Sequence, residues 1–348
     1  MKITANSNQV YNFRHQKTLY TPNFEGKNNF SNLTGNLLTK KNFAQATIGT
    51  YLITSLLKLF DVDIPDIAEK IPNILLGLTF CITENPKKLD ENIEFKKAQN
   101  IKEAKDFANE KLGIKNFKIN DLNYANWVNE GLTNISNRFQ GNVYFPQNLK
   151  FNQINFLHES ASYSIFDDTI RINKDEIENH AEKLNLIVKE NSFEELTKHN
   201  LGKGYEKYCE KLKKAYENIE DLSVFEKFSL VTSTNRVKSR LKKLDLNEPQ
   251  NLKYDGINKY GNIYADEFDI IYHETGHCFD SKSNMLFEIF MDMIKYKKDL
   301  KKLNLPSYAL SSTQEFIACI FSGIMQDEKY LPEVTDLFKK LIKFKMKV

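Results

Sequence analysis

The sequence predicts an α+β fold with a small mixed sheet early in the ordered region, followed by an active-site helix and a mainly helical C-terminal part. Three observations carry this. Between about residues 140 and 173, β-type residues partly alternate and turn at Asp167-Asp168. Apolar residues at helical spacing dominate the chain from about residue 205 onward. Hydrophobic content of 41% and charged content of 27% over 348 residues are those of a chain that buries a core.

The chain divides into three stretches. Residues 1–42 are rich in asparagine and lack periodicity, so they read as an unstructured arm. Residues 43–92 hold two apolar runs, "ATIGTYLITSLLKLF" (46–60) and "IPNILLGLTFCI" (71–82), then a polar linker, "TENPKKLDEN". Both runs are shorter than the ~20 residues a membrane span needs, so a buried helical hairpin is favoured over membrane contact of residues 46–82. Residues 93–348 form one ordered domain.

Within that domain, "NIKEAKDFANEKLG" reads as a helix capped by Asn100, with Glu103 three residues later and Gly113 as its stop. "DLNYANWVNEGLTNISNRF" carries Tyr124, Trp127, Val128, Leu132, Ile135 and Phe139 on one helical face. "NVYFPQNLKF" and "SYSIFDDTIRIN" give the sheet, the second as a hairpin. Tyr205, Tyr208, Leu212, Ala215, Tyr216 and Ile219 form a core stripe. Further helices are expected at roughly 265–281, 284–303, 312–326 and 331–346.

A net charge of +3 and the absence of a basic patch with interleaved aromatics argue against nucleic acid as a partner. Cys81, Cys209, Cys278 and Cys319 are scattered, with no C-x-x-C pair, which suits a reducing compartment. The N-terminus has no apolar segment of the signal-peptide kind. Cytoplasm is therefore the default location, with export by a route that reads other signals left open.

Chemistry concentrates in "DEFDIIYHETGHCFD". Positions i and i+4 of a helix share a face, so His273 and His277 aim two imidazoles at one point. Zinc takes such nitrogens at about 2.0–2.1 Å. Glu274 is rotated by about 100° from His273, placing it to take a proton from a metal-activated water rather than to ligate. H-E-x-x-H alone is only a hypothesis, and two core histidines satisfied by backbone carbonyls are the plain alternative. The acidic, apolar and helical setting favours Zn2+. Gly276 in mid-helix costs about 1 kcal/mol against alanine and asks for a close neighbour.

A catalytic zinc needs a third protein ligand. Glu315, in "SSTQEFIACIFSGIM", borders an apolar run where an unpaired carboxylate is costly, and a cation resolves that cost. Ser312 and Glu315 are also spaced as a capping box, which would use the glutamate otherwise.

These residues resemble a family. H-E-T-G-H-C-F-D followed by "LPSYALSSTQEFIACIF" is similar to the zinc domain of anthrax lethal factor and of the Pro-Pro endopeptidases, which are gluzincins. The resemblance is clearest over about 265–326 and extends back to about residue 95; residues 1–90 have no counterpart. It implies a zincin-like metallopeptidase domain with Glu315 as third ligand. It also implies that Tyr308, seven positions before that glutamate, stabilises the oxyanion. Asp280, three after the second histidine, matches the family's aspartate. It could hold a ligand imidazole from behind, or be a surface carboxylate. The chain departs from lethal factor where that protein has a second acid one turn after its ligand; Cys319 stands there, on the face of Glu315, and reads as a core cysteine in preference to a neighbour of the site, while Cys278 also reads as core.

The implied activity is zinc-dependent endopeptidase cleavage of a peptide or protein substrate bound in extended form. "TIRIN" (169–173) is the expected strand for backbone pairing. The rival readings are an inactive zinc domain that binds a partner, and a thermolysin-like aminopeptidase. The sequence leaves the substrate, endo- against exo-cleavage and the oligomeric state open.

Overall fold

The computed structural model describes residues 46, 50, 71, 86–152, 159–244, 253–254, 257–258, 262–283, 309, 312–330, 332 and 334–335. The expected arm, most of the expected hairpin at 46–82 and the expected helix at 284–303 lie outside the described residues. So do His158 and Cys81.

The described chain opens with strand β1 (Lys87–Lys88), inside the stretch expected to be linker, and helix α1 (Ile101–Glu110). Asn100 caps α1 by accepting the Glu103 N–H at 3.0 Å, and Gly113, at φ +65°, turns the chain after it. Strand β2 (Asn116–Lys118) follows, unforeseen because three residues carry no periodicity. Helix α2 (Leu122–Arg138) is capped by Asp121 and buries Tyr124, Trp127, Val128, Leu132 and Ile135, as their spacing predicts. Its buried asparagines are tied to backbone: Asn126 to Ala98, Asn129 to the Ala104 carbonyl.

Strands β3 (Asn142–Val143), β4 (Asn148–Phe151), β5 (Ala161–Ser164) and β6 (Thr169–Ile172) come next. The hairpin turns through residues 165–168, with Asp168 at φ +48°. The main sheet has the order β2-β4-β6-β5, parallel except for β5. Strand β1 pairs with β3 instead. The expectation for "TIRIN" is corrected here. Strand β6 is hydrogen-bonded on both sides, so it has no open edge; among the described residues, β5 and β2 are the outer strands of this sheet.

Helices α3 (Lys174–Glu190), α4 (Phe193–Thr197), α5 (Tyr205–Glu217) and α6 (Val224–Leu244) form a second cluster. The stripe Tyr208, Leu212, Ala215 is its core. Helices α3 and α6 went unread in the sequence, although Asn173 caps α3 and Ile177, Ala181, Leu184 and Ile187 line its buried face. A short pair, β7 (Lys253–Tyr254) and β8 (Ile257–Asn258), precedes helix α7 (Asp269–Ser283). Helix α8 (Thr313–Met325) ends the well-defined architecture. The start of α7, four residues later than expected, follows from Asp266. Its carboxylate accepts the Phe268 N–H and its carbonyl the Asp269 N–H, which makes a turn there instead.

Helix α7 packs on α8, α2 and β5. Phe279 of α7 sits among Phe139, Tyr144 and Phe321, with ring centroids 4.8–5.3 Å apart. Gly276 meets the backbone of α8: a Cβ there would stand 2.8 Å from the Ala318 Cα and 3.1 Å from the Phe321 Cβ. That is the close neighbour the glycine asked for. Gly276→Ala should gain about 1 kcal/mol in helix propensity but lose about 1–3 kcal/mol to overpacking, so thermal unfolding should show a net loss of stability.

Lys87 supplies a pH test. Burial, with Lys282 adding, holds its ammonium down to about 8, and its Nζ donates to the Gly113 carbonyl at 2.6 Å. Between pH 8 and 10.5 the unfolded chain keeps this proton and the folded chain releases it, so stability should rise with pH across that window. Lys87→Met should flatten the rise, as read from urea midpoints at pH 7–10.

Candidate metal centre

Helices α7 and α8 run antiparallel, and three contacts set their register. Asp269, at the start of α7, accepts from Ser322 and from Gln326 Nε2, at 2.6 Å, near the end of α8. The Cys319 sulfur lies 3.9 Å from His273 Nδ1. One turn further on, Gly276 meets Ala318. The same register brings Glu315 to the paired histidines. Its carboxylate oxygens lie 3.1 Å from His273 Nε2 and 3.6 Å from His277 Nε2. Arg236 of α6 holds the other Asp269 oxygen at 3.2 Å, so the register is braced from a third helix.

The two imidazoles are 4.8 Å apart, centroid to centroid, and nearly perpendicular. Their side chains are 18% exposed and that of Glu315 is 21% exposed, so the trio sits in a shielded but reachable recess. Glu274 is buried beside them, and its carboxylate accepts the backbone N–H of Tyr163 on edge strand β5. Among the described residues, the groups of histidine, cysteine and acid side chains close enough to share an ion are His273–Glu274–His277 and His273–Glu315–Cys319. Both contain His273.

A metal fits this donor set. Zinc bonds of about 2.0–2.1 Å in a tetrahedron put neighbouring ligand atoms about 3.3–3.4 Å apart. The two nitrogen–oxygen separations, 3.1 and 3.6 Å, bracket that value. The electrostatics agree. Burial draws the His273 proton affinity down, but its contacts with Cys319 and Glu315 carry it well above the ordinary imidazole range. Burial and the neighbouring His273 push His277 down to about 4. The recess thus favours one positive charge next to Glu315 and a neutral second imidazole. Burial also lifts Glu274 up to about 7, with His273 opposing and Glu315 adding to the rise.

The two sequence readings of Glu315 turn out to use different atoms. Its backbone N–H donates to Ser312 Oγ at 3.1 Å and caps α8, while its carboxylate faces the imidazoles. Asp280 is 1% exposed, which removes the surface-carboxylate alternative. Cys278 is in the core as expected. Cys319 is a correction: it is only partly buried, because its place on α8 faces His273 rather than the apolar interior. Tyr308 lies outside the described residues. His180 packs on Phe228 near Thr232, and His199 is exposed.

Sequence reasoning missed Tyr163, Asp168 and Lys282. Tyr163 acts through a backbone N–H, which any residue has. Lys282 and Asp168 form a buried pair at 2.7 Å, and nothing in the sequence marks either as buried.

Two substitutions separate the roles of the α8 start. Glu315→Ala should weaken zinc binding by more than the roughly 10–100-fold that loss of an outer hydrogen-bond partner costs. Ser312→Ala should leave zinc affinity unchanged and lower stability by about 1 kcal/mol. Elemental analysis and competition with a chelator read the first; urea unfolding reads the second. Neither a family model, nor a curated protein, nor a solved structure matches this chain.

Proposed function

We propose that the chain is a zinc-dependent endopeptidase with a zincin-like domain of the gluzincin type. The observation that carries this reading is the meeting of Glu315 with both Nε2 atoms of a helical histidine pair, with Glu274 buried alongside. His273, His277 and Glu315 would hold the ion. When bound, zinc supplies Lewis acidity, which makes a water more acidic and a carbonyl more electrophilic.

The remaining work falls to side chains of this protein. Glu274 takes a proton from the attacking water and returns one to the leaving amine. Its buried surroundings raise the carboxyl's proton affinity above the ordinary carboxylate range. The Tyr163 N–H fixes the direction of that carboxylate. Among the described residues, strand β5 is paired on one side only, and its other edge, beside Glu274, is one on which an extended peptide can pair. The role of Tyr308, a hydrogen bond to the carbonyl oxygen under attack, rests on the family resemblance and its seven-residue offset from Glu315.

Retention of Glu274 favours an enzyme over a zinc domain that only binds, since holding a partner needs no proton acceptor. Glu274→Gln should keep zinc at the wild-type stoichiometry. It should slow cleavage of an unstructured protein by about 10²–10⁴-fold. Equal cleavage by that variant would remove Glu274 as the base.

A further inference from the structure

Strand β5 carries that edge, yet none of its four residues is fully buried. Its ladder with β6 and the contact of Tyr163 with the main core hold it in part. Helix α7 is different: Phe279 and Ile271 anchor it in the core. What joins the two is a set of polar contacts around Asp168.

Lys282 and Asp168 pair at 2.7 Å, with side chains 7% and 4% exposed. Lys282 Nζ also donates to the Phe145 carbonyl at 2.8 Å. The same Asp168 oxygen accepts the Gln147 N–H at 3.0 Å, and its other oxygen accepts the Tyr163 hydroxyl at 3.0 Å. The Asp168 carbonyl takes the N–H groups of Gln147 and Asn148. One residue, held at φ +48°, thus ties the start of β4, strand β5, the start of β6 and the end of α7 together.

The contacts close a ring. From Lys282 the path runs through Asp168 to the Tyr163 ring, and from the Tyr163 backbone N–H to Glu274, back on α7. Lys282 and Glu274 are eight residues apart, or about 12 Å along the helix. An ion pair this buried adds little net stability over a well-packed apolar pair. In some proteins such a pair instead fixes register.

We propose that Lys282, Asp168 and Tyr163 form a positioning clamp that sets edge strand β5 at the distance from Glu274 needed for peptide cleavage. The clamp deepens the peptidase reading and rests on it for its purpose. None of the three is a catalytic residue. Lys282 and Asp168 act through Tyr163, and the Tyr163 ring acts through its own backbone.

Two variants test the clamp in the full zinc-loaded chain. Tyr163→Phe removes only the hydroxyl link. The double variant Asp168→Asn, Lys282→Met removes both charges, strands neither, and keeps at 168 a residue that tolerates the left-handed backbone. In both, zinc stoichiometry and amide hydrogen exchange in α7 and α8 should match wild type. Exchange of the amides at 161–164 should quicken at least about tenfold, since local opening is set by local contacts. Cleavage of fluorescein-labelled casein should fall by a similar factor in kcat/KM, mainly through a higher KM.

Unchanged exchange at 161–164 in both variants would overturn the clamp, as would faster exchange with wild-type cleavage. If the wild-type chain holds zinc but never cleaves casein, the peptidase reading fails. The exchange comparison would then still decide whether these residues fix β5.

Discussion

The candidate centre depends on how closely two antiparallel helices approach. The Gly276 hydrogen, where any other residue would place a carbon, lets the α8 backbone at Ala318 come against α7. Widen that contact, and Glu315 loses its reach to the imidazoles one turn away. Everything chemical about the recess therefore rests on a steric fact. The polar bridge from Asp269 to Ser322 and Gln326 adds direction, because a small-residue contact alone allows sliding.

A second constraint comes from the sheet. The candidate ligands on α7 and α8 define a point; in the proposed reading a peptide also needs a line along which to lie, and strand β5, whose Tyr163 N–H faces Glu274, offers one. The two parts have different kinds of anchor. Aromatic packing holds the helices, with Phe139, Phe279 and Phe321 in mutual contact. The ladder with β6, the contact of Tyr163 with the core and the polar contacts of Asp168 together hold the strand.

Much of the metal site was legible in the sequence because helical spacing is local. His273, Glu274 and His277 lie within one turn and a half, so their mutual placement follows from 3.6 residues per turn. Glu315 was readable from its conflict: an acid bordering an apolar run, with a capping serine that turned out to need only its N–H. The edge strand was misassigned because pairing order is non-local. "TIRIN" has the stronger β pattern for the very reason that it is the inner strand. "ASYS", half-buried and weakly patterned, is what an exposed edge looks like in sequence. The buried Lys282 was invisible, since its partner lies 114 positions away.

The contacts described between α7 and α8, with the brace from α6, fix how the two helices meet. Closing a loop becomes only slowly more unfavourable with length, by about 0.6 kcal/mol for each doubling. Loop closure by itself therefore sets little limit on the length of the connection between the two helices.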